Sequence, residues 1–207
     1  VPKWTQSEIE MTKIERDRDM TEEKLIHAVG ELIVEEGFES LGVRKVADKA
    51  GVNKTLIYRY FDSLDGLIYA YMKKHDFWIN SPSEQPDSSD IKGYLKLFYR
   101  REIAEYRSNI ALKRLRRWEL SATKDFVTAV RDQREKNGVR FMELMAGFAK
   151  VDKEHLQAMS ALIDAGISYL AMLEENCRMY NDINIQSDEG WELIARGIDV
   201  FIDIIIK

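Results

Sequence analysis

Val43-Arg44-Lys45-Val46-Ala47-Asp48-Lys49-Ala50-Gly51-Val52-Asn53-Lys54-Thr55-Leu56-Ile57-Tyr58-Arg59-Tyr60-Phe61 reads as two short helices broken by one glycine. In the first, Val43, Val46, Ala47 and Ala50 recur at helical spacing and form an apolar stripe. Gly51 can take the positive φ that ends this helix and turns the chain. Asn53 offers a side-chain acceptor to the N–H groups that open the next helix. The segment is predicted as a helix-turn-helix whose second helix shows Lys54, Thr55 and Tyr58 outward. Its charge is lopsided: Arg44, Lys45, Lys49, Lys54 and Arg59 stand against Asp48, in a chain of formal net charge -5. A basic island in an acidic chain points to an anionic partner.

The flanks extend the pattern. Leu25, Ile26, Val29, Leu32 and Ile33 recur at helical spacing upstream, and Gly37-Phe38 closes that segment. Downstream, Phe61-Asp62-Ser63 leads into Leu64, Leu67, Ile68 and Tyr71. A long helix, two short ones and a departing fourth over Thr21–His75 resemble the DNA-binding domain of the TetR family of transcriptional repressors. The residues carrying the likeness are Gly37-Phe38, Val46-Ala47, Ala50-Gly51-Val52, Lys54, Tyr58 and Tyr60-Phe61. The resemblance implies double-stranded DNA as partner, contacted by Arg44, Lys45, Asn53, Lys54, Thr55, Tyr58 and Tyr60. Lys54 suits a phosphate or guanine, Asn53 and Thr55 suit groove edges, and the two tyrosine hydroxyls suit phosphate. The chain departs from the family pattern at Gly42, where Ser or Thr usually caps the first short helix, and at Leu56. It departs again where the fourth helix opens Ser63-Leu64-Asp65 rather than Ser-Lys. Fewer phosphate contacts would flatten the salt dependence of binding without abolishing recognition.

At 207 residues the chain exceeds one small domain, and 45% hydrophobic with 32% charged residues is an ordinary globular balance. No uninterrupted apolar run approaches the ~20 residues of a membrane span. No secretory signal opens the sequence at Val1-Pro2-Lys3, so no membrane partner is expected and the cytoplasm is the expected compartment. Cys177, the one cysteine, cannot form an intrachain disulfide, which suits a reducing compartment. It is either a sensing thiol or a passive one. Pro82 and Pro86 within Asn80–Ser89 mark a linker. The expected organisation is a residue 1–20 extension, a 21–78 helix-turn-helix domain, a 79–90 linker and a 91–207 helical domain. The fold class is all-α: an N-terminal helix-turn-helix domain plus a C-terminal antiparallel helical bundle for ligand binding and dimerisation.

In the second domain, Asp90 caps a helix with Tyr94, Leu95, Phe98 and Tyr99. Further helices are predicted over Asn109–Leu120 and from about Lys124 to Phe148, then after Asp152 and after Ser187. The last places Trp191, Ile194, Ile198, Phe201 and Ile205 at spacings of three and four, the seam of a packed helix. Ala161, Ala165 and Gly166 form a small-residue surface, and the chain ends in several isoleucines. A homodimer interface of Ala161, Ala165, Gly166, Ile194, Ile198, Phe201 and Ile205 follows, and plain core packing is the competing reading. Family resemblance pairs the last two helices of each subunit and implies a small-molecule effector between the helices of this domain. Its candidate walls are Phe98, Trp118, Phe126, Met145, Tyr169 and Met172, each of which could equally be core. Arg100, Arg101, Arg107, Lys113, Arg114, Arg116 and Arg117 form a second basic cluster. It grips DNA, binds an anionic effector, contacts the DNA-binding domain, or is a face balanced by Glu102, Glu105 and Glu119.

Catalytic signals are lacking. His27, His75 and His155 have no metal-ligand spacing, and no phosphate-binding glycine loop or nucleophile elbow occurs. Neither metal, cofactor nor enzymatic activity is expected. The sequence reads as a ligand-responsive, sequence-specific DNA-binding regulator, with a DNA-free helical adaptor or an enzyme as the alternatives.

Overall fold

The computed structural model describes the backbone over residues 6–76, 79 and 90–206, with side chains from Arg16 onward. Two compact units result: Val1–Asp76 with Lys124–Val130, and Phe77–Thr123 with Arg131–Lys207. The expected linker lies almost wholly outside the described residues.

The first unit runs α1 (Gln6–Glu36), a 3-10 turn (Phe38–Ser40), α2 (Val43–Ala50), α3 (Thr55–Phe61) and α4 (Leu64–His75). Helix α1 passes without a break through the expected boundary at residue 20. Leu25, Val29 and Ile33 on its inner face are fully buried with Val46 of α2, Ile57 of α3 and Leu67 of α4. Each such side chain contributes about 1.5–3 kcal/mol when fully buried. Gly51 ends α2 at φ 67, in the left-handed region. The Asn53 carboxamide oxygen accepts from the Thr55 N–H and hydroxyl, both at 2.9 Å, and so opens α3. Ser63 caps α4 by accepting from Gly66 N at 3.0 Å. Gly66 is required there, because a Cβ would sit 2.0 Å from the Phe61 carbonyl oxygen.

The second unit contains α5 (Ile91–Ser108), α6 (Ile110–Glu119), most of α7 (Asp125–Ala149), α8 (Lys153–Leu173) and α9 (Asp188–Ile205). Asp90, Asn109, Asp152 and Ser187 each cap a helix through the side chain, as their positions predict. One core joins Leu95, Phe98 and Tyr99 of α5, Met145 of α7, Leu156 and Ile167 of α8, and Ile198 and Ile202 of α9.

Three features refine the sequence expectations. A β-hairpin, β1 (Met179–Tyr180) against β2 (Ile183–Asn184), interrupts the all-helical pattern with Tyr180 opposite Ile183. Its two-residue turn, Asn181-Asp182, has φ 49 and 62. That is the left-handed pair a tight hairpin needs, and Asn and Asp tolerate it. Next, α8 is by length and composition apolar enough to cross a membrane, as core helices of this kind also are. One of its faces lies in the core, while Leu162 is 77% exposed on another. Finally, the predicted α9 seam is largely the chain's own core: Ile198 is 6% exposed, with Ile194 and Ile205 packed beside it. The exposed apolar stripe is instead Leu193, Gly197, Val200 and Ile204, flanked by Phe201. It lies two positions on from Trp191, Ala195, Ile198 and Ile202, hence ~200° around the helix.

Buried polar groups tie the hairpin to the bundle. Glu174 accepts from Lys113 Nζ at 2.8 Å, Trp191 Nε1 at 3.0 Å and Arg107 Nε at 3.3 Å. Trp191 Nε1 also donates to the Ile185 carbonyl at 2.8 Å. Glu174→Ala would leave Lys113 charged, buried and uncompensated, so a loss of about 3–5 kcal/mol is expected by urea denaturation. Adding Lys113→Met should recover most of it.

Candidate nucleic-acid interface and the cavity of the second unit

The apolar residues of α2 and α3 are buried against the first unit, which leaves their polar residues outward. Arg44, Lys45, Asn53, Lys54, Thr55 and Tyr58 are exposed. Lys45 pairs with Glu36 at 2.5 Å, and Lys49 with Glu35 at 2.6 Å, which holds α2 against the end of α1. Helix α2 starts at Gly42 with no side-chain cap, so its first N–H groups receive nothing from that residue. Lys54 stands immediately before α3, and Tyr58 one turn further is 52% exposed. Tyr60 differs from the rest: its half-buried ring lies under the guanidinium groups of Arg18 (5.3 Å) and Arg59 (5.8 Å). Sequence reading omitted Arg18 because it belongs to the segment read as an extension. Arg18 also pairs with Glu22 at 2.6 Å, one helical turn on. Asp65, at the departure from the family pattern, pairs with Lys124 at 2.6 Å.

Within the second unit the basic cluster is largely matched by acids. Arg100 grips Asp199 with both terminal nitrogens at 2.7 and 2.8 Å. Arg107 meets Asp188 at 2.6 Å, and Arg117 meets Glu175 at 2.8 Å. Most balancing acids therefore come from Glu174 onward in the chain rather than from Glu102 and Glu105. Glu119 does serve, taking Arg116 at 3.1 Å and Arg134 at 2.8 Å. Burial alone would raise the Glu119 carboxyl; the two arginines outweigh it and hold it below the usual carboxylate range.

A cavity of about 640 Å³ opens among α5, α6, α7 and α8, a volume typical of small-molecule sites. Of the six expected walls only Met172 lines it. Phe98 and Met145 lie in the core, with Phe98 stacked on Phe141 at 4.9 Å. Tyr169 is exposed and meets Tyr180 edge to face at 6.0 Å. Trp118 is half-buried on α6, and Phe126 belongs to the first unit, 5.7 Å from Lys124 Nζ. The walls were sought among large apolar residues, whereas α8 turns Ser160, Asp164 and Ser168 to the cavity. Their four-residue spacing in an otherwise apolar helix was the available signal. Among the described residues no group of His, Cys, Asp and Glu is arranged to hold a metal ion.

Comparison with known proteins agrees with this geometry. The family model for "Bacterial regulatory proteins, tetR family" matches residues 25–71, the span from α1 to α4. The HTH-type transcriptional activator FasR of Mycolicibacterium smegmatis is 34% identical over 58 residues, 28% of this chain and 26% of that protein. The match thus spans about a quarter of that relative's length. The fold likeness reaches further: a transcriptional regulator from Rhodococcus sp. Rha1 superposes with TM-score 0.62 at 17% identity, covering 89% of this chain and 95% of the other. A TetR-family protein from Vibrio parahaemolyticus superposes with TM-score 0.57 at 20% identity, covering 90% and 99%. The helix-turn-helix thus lies inside the span that matches the tetR family model, and the fold around it is like that of these solved regulators.

Proposed function

We propose that the protein is a DNA-binding transcriptional repressor that acts as a homodimer on a palindromic operator and responds to a small molecule held in the second unit. The observation that carries DNA binding is the exposed, polar and cationic face made by the starts of α2 and α3. Lys54, Thr55 and Tyr58 fit a groove, while Arg44 and the uncapped start of α2 fit phosphate. Tyr60, with its ring under two guanidinium groups, acts by steadying Arg18 and Arg59 near the backbone. A second reading, activation, is favoured by the name of the relative FasR. Deleting the gene and measuring transcripts next to the bound operator separates the two, since they rise for a repressor and fall for an activator.

Dimerisation is supported by the apolar stripes that the chain's own core leaves uncovered: Ala161, Leu162 and Ala165 on α8, and Val200, Phe201 and Ile204 on α9. Two adjacent stripes of this kind suit a copy of themselves about a two-fold axis. A ligand that prefers the spacing unsuited to the operator would then release DNA.

Lys54→Ala combined with Tyr58→Phe should weaken operator binding at least tenfold and lower the log–log salt slope by about one, leaving helicity unchanged. Fluorescence anisotropy over a salt series checks this. Unchanged affinity and slope would place the DNA surface elsewhere.

Leu162→Glu and Phe201→Glu should each give a folded monomer, whereas Ile198→Glu should unfold the second unit. Sedimentation and circular dichroism distinguish the two outcomes. The dimer should require an inverted repeat with half-site centres roughly 34–36 Å apart, or a little more if the subunits splay. Equal affinity for one half-site and two would remove the operator reading.

A further inference from the structure

We propose that the cavity of the second unit takes an organic cation, an ammonium group on an apolar body, and that Glu102 and Asp164 hold its charge. The inference rests on the ligand-responsive reading above and names the chemistry of the ligand.

Glu102 on α5 is 2% exposed, and its Oε2 has no hydrogen-bond donor among the described residues; nor has Oδ1 of Asp164 on α8. Both residues line the cavity. A buried carboxylate oxygen without a donor is costly, and two neighbouring carboxylates cannot both ionise away from water. Burial raises Glu102 well above the usual carboxylate range, and the charge and hydrogen bond of Asp164 add to this. Burial likewise lifts Asp164 to about 7, against the pull of Glu102 and Ser160. The pair therefore keeps a proton between its members near neutral pH.

The surroundings do not supply the missing cation. Tyr99 and Tyr106 on α5 carry neutral hydroxyls, that of Tyr99 bonded to Ser160 at 2.9 Å. On α6 and α7, Arg116 and Arg134 bond the Glu119 carboxylate, Arg116 also bonds the Tyr106 hydroxyl, and Arg131 donates to the Glu119 carbonyl. Arg116 lowers Glu102, but more weakly than the other influences raise it, and Glu135 on α7 adds a further acid to the wall. An ammonium group brings both things that the pair lacks, N–H donors for the two oxygens and a positive charge in place of the proton. Leu120, Met142 and Met172 offer apolar surface to the rest of such a molecule. A neutral ligand leaves the carboxyl pair as it is, and an anion has only the arginines to meet.

The test is calorimetric titration of the full chain with decylammonium, decanol and decanoate at about pH 6 and about pH 8. Decylammonium should bind at least tenfold more tightly than the other two. Because it competes with the shared proton, its affinity should rise with pH, by up to about tenfold per pH unit while the pair is protonated, with protons released to buffer. Glu102→Gln should cut decylammonium affinity at least tenfold and flatten its pH dependence. The amide can donate to Asp164, so the variant should fold. It should also lose less stability than the wild type as pH rises. A carboxyl raised on folding is more protonated in the native state, so stability falls between the unfolded pKa and the folded one. Should the variant not fold, the order of the three probes and the wild-type pH dependence still decide. Decanoate or decanol binding as well as decylammonium, or pH-independent decylammonium binding, would overturn the proposal. Glu102-dependent decylammonium binding with operator occupancy unchanged would uphold this site and overturn ligand-responsive regulation. Operator release by decanoate, with no binding of the cation, would do the reverse.

Discussion

A helix of seven residues does not hold itself together, and α3 is that short. Isolated helices below roughly 12–15 residues are marginal in water. Helix α3 therefore exists only through its joints. Asn53 holds its first turn, Ile57 anchors its middle with no exposed surface, and Gly66 lets the first turn of α4 press against the Phe61 carbonyl. Its outward residues Lys54, Thr55 and Tyr58 are exposed. Only Asp62 and Ser63 lie between α3 and α4, and both act as helix caps.

The second unit solves a different problem, that of placing many charges in a small bundle. Its arginines are consumed by acids from α6, α9 and the stretch around Glu174. A basic cluster that looks in sequence like a second anion site is thereby an internal lattice. Exposed members of such pairs are worth little each, but the buried Glu174 hub has no such latitude. Glu102 and Asp164 depart from this lattice: Glu102 Oε2 and Asp164 Oδ1 are buried with no arginine or lysine bonded to them.

How far each level was legible in the sequence follows from which interactions set it. Helix starts were readable because Asp90, Asn109, Asp152 and Ser187 act on backbone three residues away. Gly51 was readable for the same local reason. The hairpin was missed although Asn181-Asp182 is a strong turn signal, since two-residue strands carry no measurable alternation. The cavity walls were misplaced because which face of α8 points inward is decided by α5 and α7, far off in sequence. Ile198 was assigned to a partner for a related reason: a helix with two apolar stripes gives one periodicity and no indication of which stripe the chain keeps.

Those two stripes have an evolutionary side. Trp191, Ala195, Ile198 and Ile202 are buried in the fold, whereas Leu193, Gly197, Val200 and Ile204 lie exposed on the opposite face. Substitutions in the second set can change what the helix accepts as a neighbour without disturbing how the monomer is built. When a gene of this kind is duplicated, the copies can be insulated from mixed pairing by a few changes at those positions, made by steric or charge mismatch. The choice of neighbour on such a face is then separable from stability, on one helix of 18 residues.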